Sequence, residues 1–300
     1  TASNEPESGA GAQTEPLKIA LFPGSFKPVH KGHILAAAEL ANDADIIYIF
    51  VSAPELSGRA MKSGKSISAE QAVECWHTML DKSPIKNKAK VMIGPAGVAS
   101  SMMTAIDYIQ HPAQPDNIYA APPNATVILG VGEKGDDASR YDEKTLSKSK
   151  EKRPDLTIEI KSVGPFMHSQ GYLALLQANP SIKQMLNKGK GRDVDAGLYH
   201  ASDMRDFIDL ATVDPIGIEF LKDFVARPED VFAVMGILGL NPADLTATKA
   251  EEDQVKEPEI DQLSEIIYQE AEIFYEGFKA PEVPRGRPSK DKFQRKMRKG

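Results

Sequence analysis

Short apolar runs alternate with longer amphipathic stretches through residues 17–210 of the chain. Five runs rich in β-branched, aromatic or alternating apolar residues predict strands, at 17–21, 45–52, 90–94, 126–130 and 156–160. Apolar positions with helical spacing predict helices between them, at 31–41, 68–80 and 100–109. Continuous apolar strands are typical of parallel sheets buried on both faces, so this order predicts an α/β fold with parallel strands and right-handed crossovers.

The pattern after the fifth strand is helical. We predict a helical pair within 170–188, a helix with Ser202 as its N-cap, and amphipathic helices at 215–225 and 228–238, the last with Pro228 at its first position. Residues 144–152 are densely charged and predict a solvated segment. Together these elements predict one α/β domain at 17–240 whose C-terminal part is helical.

The two ends of the chain lack this pattern. Residues 1–16 are small, polar and acidic, and they predict a disordered leader because they cannot bury enough apolar surface to offset the entropy of ordering. Residues 241–259 predict an acidic linker. Residues 260–280 predict an amphipathic helix that packs either on the domain or on another subunit, and the second arrangement would make the protein a homo-oligomer.

Residues 281–300 predict a basic tail, in contrast to the acidic body. Within it, the Arg-Gly-Arg-Pro sequence at 285–288 resembles the core of an AT-hook, whose arginines enter the minor groove of A·T-rich DNA. A solvated basic terminus and an arm that docks on an acidic protein partner are the alternatives. The tail therefore predicts a contact with DNA or with a protein.

Composition narrows the function classes. The net charge of −7 argues against a chain that binds polyanions over its whole surface, and 300 residues with 41% hydrophobic content can form a sizeable core. The single cysteine, Cys75, excludes an intramolecular disulfide and predicts a core thiol in a reducing compartment. No apolar run approaches the length of about 20 residues that a membrane span needs. We therefore predict a soluble, cytoplasmic protein without membrane contact.

The strongest candidate site lies between the first strand and the first helix, where the sequence is Phe-Pro-Gly-Ser-Phe-Lys-Pro-Val-His-Lys-Gly-His at 22–33. His30 and His33 are three residues apart at the mouth of the helix, so both imidazoles can reach one anion bound by the helix N-terminus. Oriented N–H donors with paired imidazoles suit the charge that develops on a phosphate during displacement. The candidate residues of this segment are Pro23, Gly24, Ser25, Phe26, Lys27, His30, Gly32 and His33.

Three further segments carry candidate residues at predicted strand or helix ends. Arg59, Lys62 and Lys65 follow the second strand and could reach triphosphate oxygens, although each could equally be a solvated charge. A glycine turn after the fourth strand supplies Gly130, Gly132 and Lys134, with Asp136 and Arg140 beyond it, and an ordinary turn is the alternative. Ser202 and Arg205 suggest a second anion site, for which the alternative is a capped helix with a surface arginine.

The segment Gly-Ser-Phe-x-Pro-x-His-x-Gly-His closely resembles the H-x-G-H signature of the cytidylyltransferase-like nucleotidyltransferase superfamily. Ser202-Asp-Met-Arg205 resembles the second signature of that superfamily, Ile-Ser-x-Thr-x-x-Arg, which grips the β and γ phosphates. The resemblance implies a Rossmann-like open sheet with helices on both faces. It also implies the transfer of a nucleoside monophosphate from CTP or ATP, bound with Mg²⁺, to a phosphorylated acceptor, with release of pyrophosphate.

This sequence departs from the superfamily pattern at a few positions. Lys27 stands where many members have Asp or Asn, Tyr199 and His200 replace Ile-Ser, and Ser202 replaces Thr. The combined pattern looks most like versions encoded by large tailed phages, which would place the protein in the host cytoplasm or in the virion. A structural or nucleic-acid-associated protein that keeps the fold is therefore the alternative to an enzyme.

Overall fold

The computed structural model describes residues 15–53, 60–95, 98, 100–112, 118–132, 141, 143–188 and 197–240. Its strands are β1 (Lys18–Gly24), β2 (Ile46–Val51), β3 (Ala89–Ile93), β4 (Thr126–Gly132) and β5 (Thr157–Val163). Its helices are α1 (Lys31–Ala41), α2 (Ala69–Leu80), α3 (Ser101–Gln110), α4 (Glu143–Lys152), α5 (Gln170–Ala178), α6 (Pro180–Asn187), α7 (Ala201–Ala211), α8 (Ile216–Leu221) and α9 (Asp230–Ile237).

The five strands form one parallel sheet in the order β3-β2-β1-β4-β5. Alternate residues of a strand face opposite sides of the sheet, as the side-chain period of two requires. Ala20 and Phe22 of β1 join the core that includes α1, α2 and the C-terminal helices. Ile19 and Leu21 join the core that includes α3. The predicted α/β fold, with helices on both faces of an open parallel sheet, is confirmed.

Most of the predicted elements are observed within two or three residues of their expected ends. α1 has the predicted bounds, and Ser68 caps α2 in a reciprocal capping box with Gln71. Cys75 is a buried free thiol, and burial and the nearby Glu74 charge raise its pKa to about 12, as expected of a core residue.

Three predictions about helices were wrong or incomplete. The charged segment after β4 forms a helix, α4, because Lys and Glu favour helix and one face of the segment packs near α3. α7 is capped by His200 rather than by Ser202, which lies inside the first turn. α9 begins at Asp230 with Glu229 at its N-cap position, so Pro228 precedes the helix instead of starting it.

The structure leaves several predictions outside the described residues: the leader up to residue 14, the linker at 241–259, the helix at 260–280 and the basic tail at 281–300. Arg59, Lys134, Asp136 and Arg140 also lie outside them. In the described part of the chain, no helix is long and apolar enough to cross a membrane.

Candidate active site

The sheet opens at the carboxyl ends of its two central strands. β1 pairs with β4 from Lys18–Thr126 only as far as Leu21–Leu129. Beyond that point, residues 22–24 of β1 continue to pair with β2, while residues 130–132 of β4 continue to pair with β5. The strand order reverses between β1 and β4, and ligands of open α/β sheets bind in the crevice outside such a switch point. The predicted site therefore lies at the place where this topology provides a crevice.

The loop at 25–30 carries the chain from the end of β1 to the start of α1. Its second residue, Phe26, has a left-handed backbone with φ of 52° and a buried ring. The loop ends at His30, the N-cap of α1. His33 stands at the third helical position, where its Nδ1 accepts a hydrogen bond of 3.2 Å from the His30 N–H. This bond fixes the orientation of the His33 ring and leaves the proton of the neutral imidazole on Nε2.

The two imidazoles are in direct contact. Their ring centroids are 3.6 Å apart and their planes differ by 20°. This is van der Waals contact, so a phosphate cannot lie between the two ring faces and can meet only their edges. His30 is 5% exposed, whereas His33 is half-buried, so His33 is the more accessible of the pair.

Part of the donor set at the mouth of α1 is already occupied. The Lys31 N–H donates to the Phe224 carbonyl at 2.6 Å, and the His33 N–H donates back to the His30 carbonyl at 2.8 Å. The ring of Phe224 also meets His30 edge-on, with centroids 6.5 Å apart. An anion at this helix end must therefore rely on side chains as well as on the remaining backbone donors.

The first and second signatures meet in space. Arg205, in the second turn of α7, donates from its guanidinium to the Lys27 carbonyl at 2.7 Å, across a sequence separation of 178 residues. Ser202 lies one turn earlier on the same helix and is half-buried. The structure thus brings the predicted second anion site against the loop that holds His30.

The three lysines predicted near the site differ in their surroundings. Lys27 is only 2% exposed, and its positive charge is one of the influences that lower the pKa of Glu70, after the Glu70 backbone N–H and the Ser68 hydroxyl. Lys62 pairs with Asp206 of α7 at 3.1 Å. The half-buried Lys65 approaches Gly239, where a Cβ would lie 2.8 Å from its Nζ. Lys65 therefore contacts the residues that follow α9.

The predicted glycines have packing roles. A Cβ on Gly130 would lie 2.5 Å from Leu40 Cδ1, so this glycine lets α1 approach β4. A Cβ on Gly32 would lie 3.0 Å from the Tyr199 Cβ, so Gly32 lets Tyr199 pack against the first turn of α1. Pro23 and Gly24 belong to the end of β1 rather than to the turn, and Gly132 is the last residue of β4. A nucleotide contact at these positions stays a prediction.

Sequence reasoning missed the aromatic surroundings of the histidines. The Tyr199 ring lies nearly parallel to that of His30, with an interplanar angle of 16° and a centroid distance of 5.7 Å. The ring of Trp76 in α2 meets the Phe26 ring edge-on at 5.1 Å, and its centroid lies 6.5 Å from that of His33. Because Trp76 and Tyr199 come from distant segments, no local pattern around the H-x-G-H residues could have identified them.

Gly24→Ala tests how tightly this loop is packed. A Cβ at Gly24 would lie 2.4 to 2.8 Å from three ring atoms of Phe26, so the ring must leave its place between Phe22 and Trp76. We expect the free energy of unfolding to fall by about 1–3 kcal/mol, as for other overpacked cores. Chemical denaturation measures the change.

Gly236→Ala is the matched control, because a Cβ at Gly236 meets nothing within 4 Å. Gly236 lies in the last turn of α9, where this change should stabilise the protein by about 0.4–1 kcal/mol by reducing the entropy of the unfolded chain. Equal midpoints for Gly24→Ala and the native chain would show that the Phe26 ring can move freely.

Residues 21–105 of the chain match the family model for cytidylyltransferase-like proteins. The matched segment is less than a third of the chain. It runs from within β1 to within α3 and so contains the H-x-G-H residues, whereas Arg205 lies outside it. A comparison with curated protein sequences finds no match.

The chain also has a distant likeness to solved structures. A bifunctional NMN adenylyltransferase/ADP ribose pyrophosphatase from Francisella tularensis is 14% identical, with 89% of this chain and 58% of that chain covered and a TM-score of 0.44. The same enzyme with AMP and a manganese ion gives 11% identity, coverages of 78% and 53%, and a TM-score of 0.40.

Nicotinic acid mononucleotide adenylyltransferase from Plasmodium falciparum, in complex with NaAD, is 12% identical, with coverages of 68% and 94% and a TM-score of 0.28. The chain spans between half and three fifths of the Francisella protein. Since every one of these TM-scores is below 0.5, the topology and the site geometry carry the argument about function.

Proposed function

We propose that the protein is a nucleotidyltransferase that moves a nucleoside monophosphate from CTP or ATP to a phosphorylated acceptor and releases pyrophosphate. The observation that carries this proposal is the hydrogen bond of 2.7 Å from Arg205 to the Lys27 carbonyl, which joins two sequence-distant segments that are predicted to bind anions, beside the His30–His33 stack. Both segments lie at the carboxyl ends of the parallel strands, where an open α/β sheet binds its ligands.

His33 has the clearest role in this proposal. Its Nδ1 is held by the His30 N–H, so its Nε2–H is the donor for an oxygen of the α-phosphate. The Ser25 hydroxyl supports a ligand at the same loop, because its oxygen is buried and has no hydrogen-bond partner among the residues that the structure describes. Leaving such a group unsatisfied costs about 1–3 kcal/mol, which a phosphate oxygen would recover.

The reaction needs no covalent nucleophile on the protein. An oxygen of the acceptor phosphate attacks the α-phosphorus in line, and the bond from the α-phosphorus to the bridging oxygen of the β-phosphate breaks. Pyrophosphate leaves with that electron pair. His33 and His30 stabilise the charge on the α-phosphoryl oxygens, and Arg205 with the first turn of α7 holds the leaving group.

Mg²⁺ is expected to accompany the triphosphate. Within the described ranges, no group of three His, Cys, Asp or Glu side chains is arranged to hold a metal ion, so we assign no step to a metal held by the protein alone. Mg²⁺ is commonly bound through substrate phosphates with only one or two carboxylates from the protein. When bound, the ion would neutralise charge on the phosphates.

The experiment that tests the proposal measures pyrophosphate release from each of the four NTPs with a panel of phosphorylated acceptors. The native chain should release pyrophosphate with at least one pair, and His30→Gln should abolish most of this activity. NTP binding without turnover for every pair would favour the alternative, a virion or nucleic-acid-associated protein that keeps the fold. The resemblance to phage-encoded versions and the DNA or protein contact of the basic tail stay predictions.

A further inference from the structure

A second buried histidine lies behind the candidate active site. The side chain of His168, between β5 and α5, is 1% exposed, and its Nδ1 lies 2.6 Å from an oxygen of Asp223. The other oxygen of Asp223 accepts the Ser169 N–H at 3.3 Å. The sequence analysis assigned no role to His168 or Asp223, and neither belongs to the two signatures.

Asp223 stays ionised in this environment. Burial would raise its pKa, but the hydrogen bond and positive charge of His168, the Ser169 N–H and the charge of Lys31 outweigh burial and lower it. Burial together with the charge and hydrogen-bonding capacity of Asp223 raises the pKa of Tyr199. The Tyr199 hydroxyl therefore stays neutral beside the Asp223 carboxylate that influences its pKa.

The rings of Tyr199 and Phe224 each contact both His168 and His30. Tyr199 lies 4.1 Å from the His168 ring on one side, and it is nearly parallel to the His30 ring at 5.7 Å on the other. Phe224 follows Asp223 in sequence, meets the His168 ring at 4.7 Å, and packs edge-on against His30 at 6.5 Å. The Phe224 carbonyl also accepts a hydrogen bond of 2.6 Å from the Lys31 N–H, which connects the same segment to the start of α1.

We propose that His168 and Asp223 form a positioning pair that acts through Tyr199 and Phe224 to hold the His30 imidazole in its stack with His33. The expected effect on turnover rests on the proposed function, whereas the expected effect on the position of the His30 ring does not. Neither His168 nor Asp223 touches the substrate in this account. Displacement of a catalytic group by about 1 Å can slow a reaction roughly 100-fold, so a modest shift of the His30 ring has a measurable effect.

Asp223→Asn and Tyr199→Phe test the proposal in the full-length chain. Asn is neutral and has one acceptor oxygen where Asp223 has two, so it cannot accept from both the His168 Nδ1–H and the Ser169 N–H in the present geometry. Phe keeps the ring of Tyr199 and removes only the hydroxyl. Asp230→Asn is the control for the first change, because Asp230 is a buried carboxylate paired with Arg227.

Tyr108→Phe is the control for the second change, because Tyr108 is a buried tyrosine of the other core.

The first readout is the imidazole NMR spectrum of His30, assigned by its loss in His30→Gln, and it requires no nucleotide. We expect the His30 signals to move in Asp223→Asn and in Tyr199→Phe but to stay in place in both controls. Unchanged His30 signals in folded Tyr199→Phe protein would overturn the proposal, even if Asp223→Asn did not fold.

The second readout is pyrophosphate release. We expect kcat to fall about tenfold in Asp223→Asn, with KM for the nucleotide within about twofold of the native value, because the pair positions a reacting group without binding substrate. A larger change in KM than in kcat would overturn the positioning role. If the native chain released no pyrophosphate while the His30 signals still moved as expected, the proposed function would fail and the positioning pair would stand.

Discussion

His33→Ala should slow turnover by about 10²–10³-fold, by analogy with the loss of one preorganised oxyanion donor. The structure gives the reason, since Nδ1 of His33 accepts the His30 N–H and the proton of the neutral imidazole is on Nε2, which donates to the α-phosphate in the proposed mechanism. Single-turnover pyrophosphate release measures the effect on the chemical step. The change also removes a capping interaction of α1, so we expect a loss of about 0.5–2 kcal/mol in the free energy of unfolding.

His33→Gln separates the chemical role from the capping role. A glutamine at the third helical position can accept the N-cap N–H, as Gln71 does in α2. We therefore expect stability close to that of the native chain but turnover below the native value, because a flexible amide NH2 replaces the N–H that the imidazole ring holds in a fixed position. His77→Ala, which removes an exposed histidine from α2, is the control and should leave both quantities unchanged. Near-native turnover in His33→Gln would remove the imidazole from the mechanism.

Arg205→Ala should weaken NTP binding roughly 10- to 100-fold, because charge-assisted hydrogen bonds contribute about 1.5–3 kcal/mol each. The guanidinium donates to the Lys27 carbonyl through one nitrogen, and the planar array of N–H donors in a guanidinium suits phosphate oxygens. Arg205→Lys should not restore affinity, since an ammonium is a point charge that cannot bridge a carbonyl and a phosphate in the same fixed geometry.

Calorimetric titration with each NTP measures this loss, and the thermal midpoint without nucleotide shows whether the variant is folded. Lys222→Ala is the control for net charge, because it removes a positive charge that pairs with Glu219 on the outer surface. An unchanged dissociation constant in Arg205→Ala would remove Arg205 from the nucleotide site. Equal weakening in Lys222→Ala would indicate long-range electrostatics instead of direct contact.

The sequence by itself determined the architecture and the first half of the site. β-branched and aromatic runs indicated the strands, and apolar positions at helical spacing indicated α1, α2 and α3, because both periodicities depend on residues close in sequence. The segment at 22–33 likewise identified His30 and His33. The capping rule failed at the start of α7. Serine is a preferred N-cap residue, but the N-cap is His200 and Ser202 lies inside the helix.

Only the tertiary structure decided how the histidines are held. Three sets of contacts join segments that are far apart in sequence. Arg205 donates to the Lys27 carbonyl, the rings of Tyr199 and Phe224 pack on His30, and His168 pairs with Asp223. Such contacts depend on how helices settle against the sheet, and no periodicity or spacing in one segment records them. The H-x-G-H residues predict a phosphate site, but packing determines which imidazole edges are accessible there.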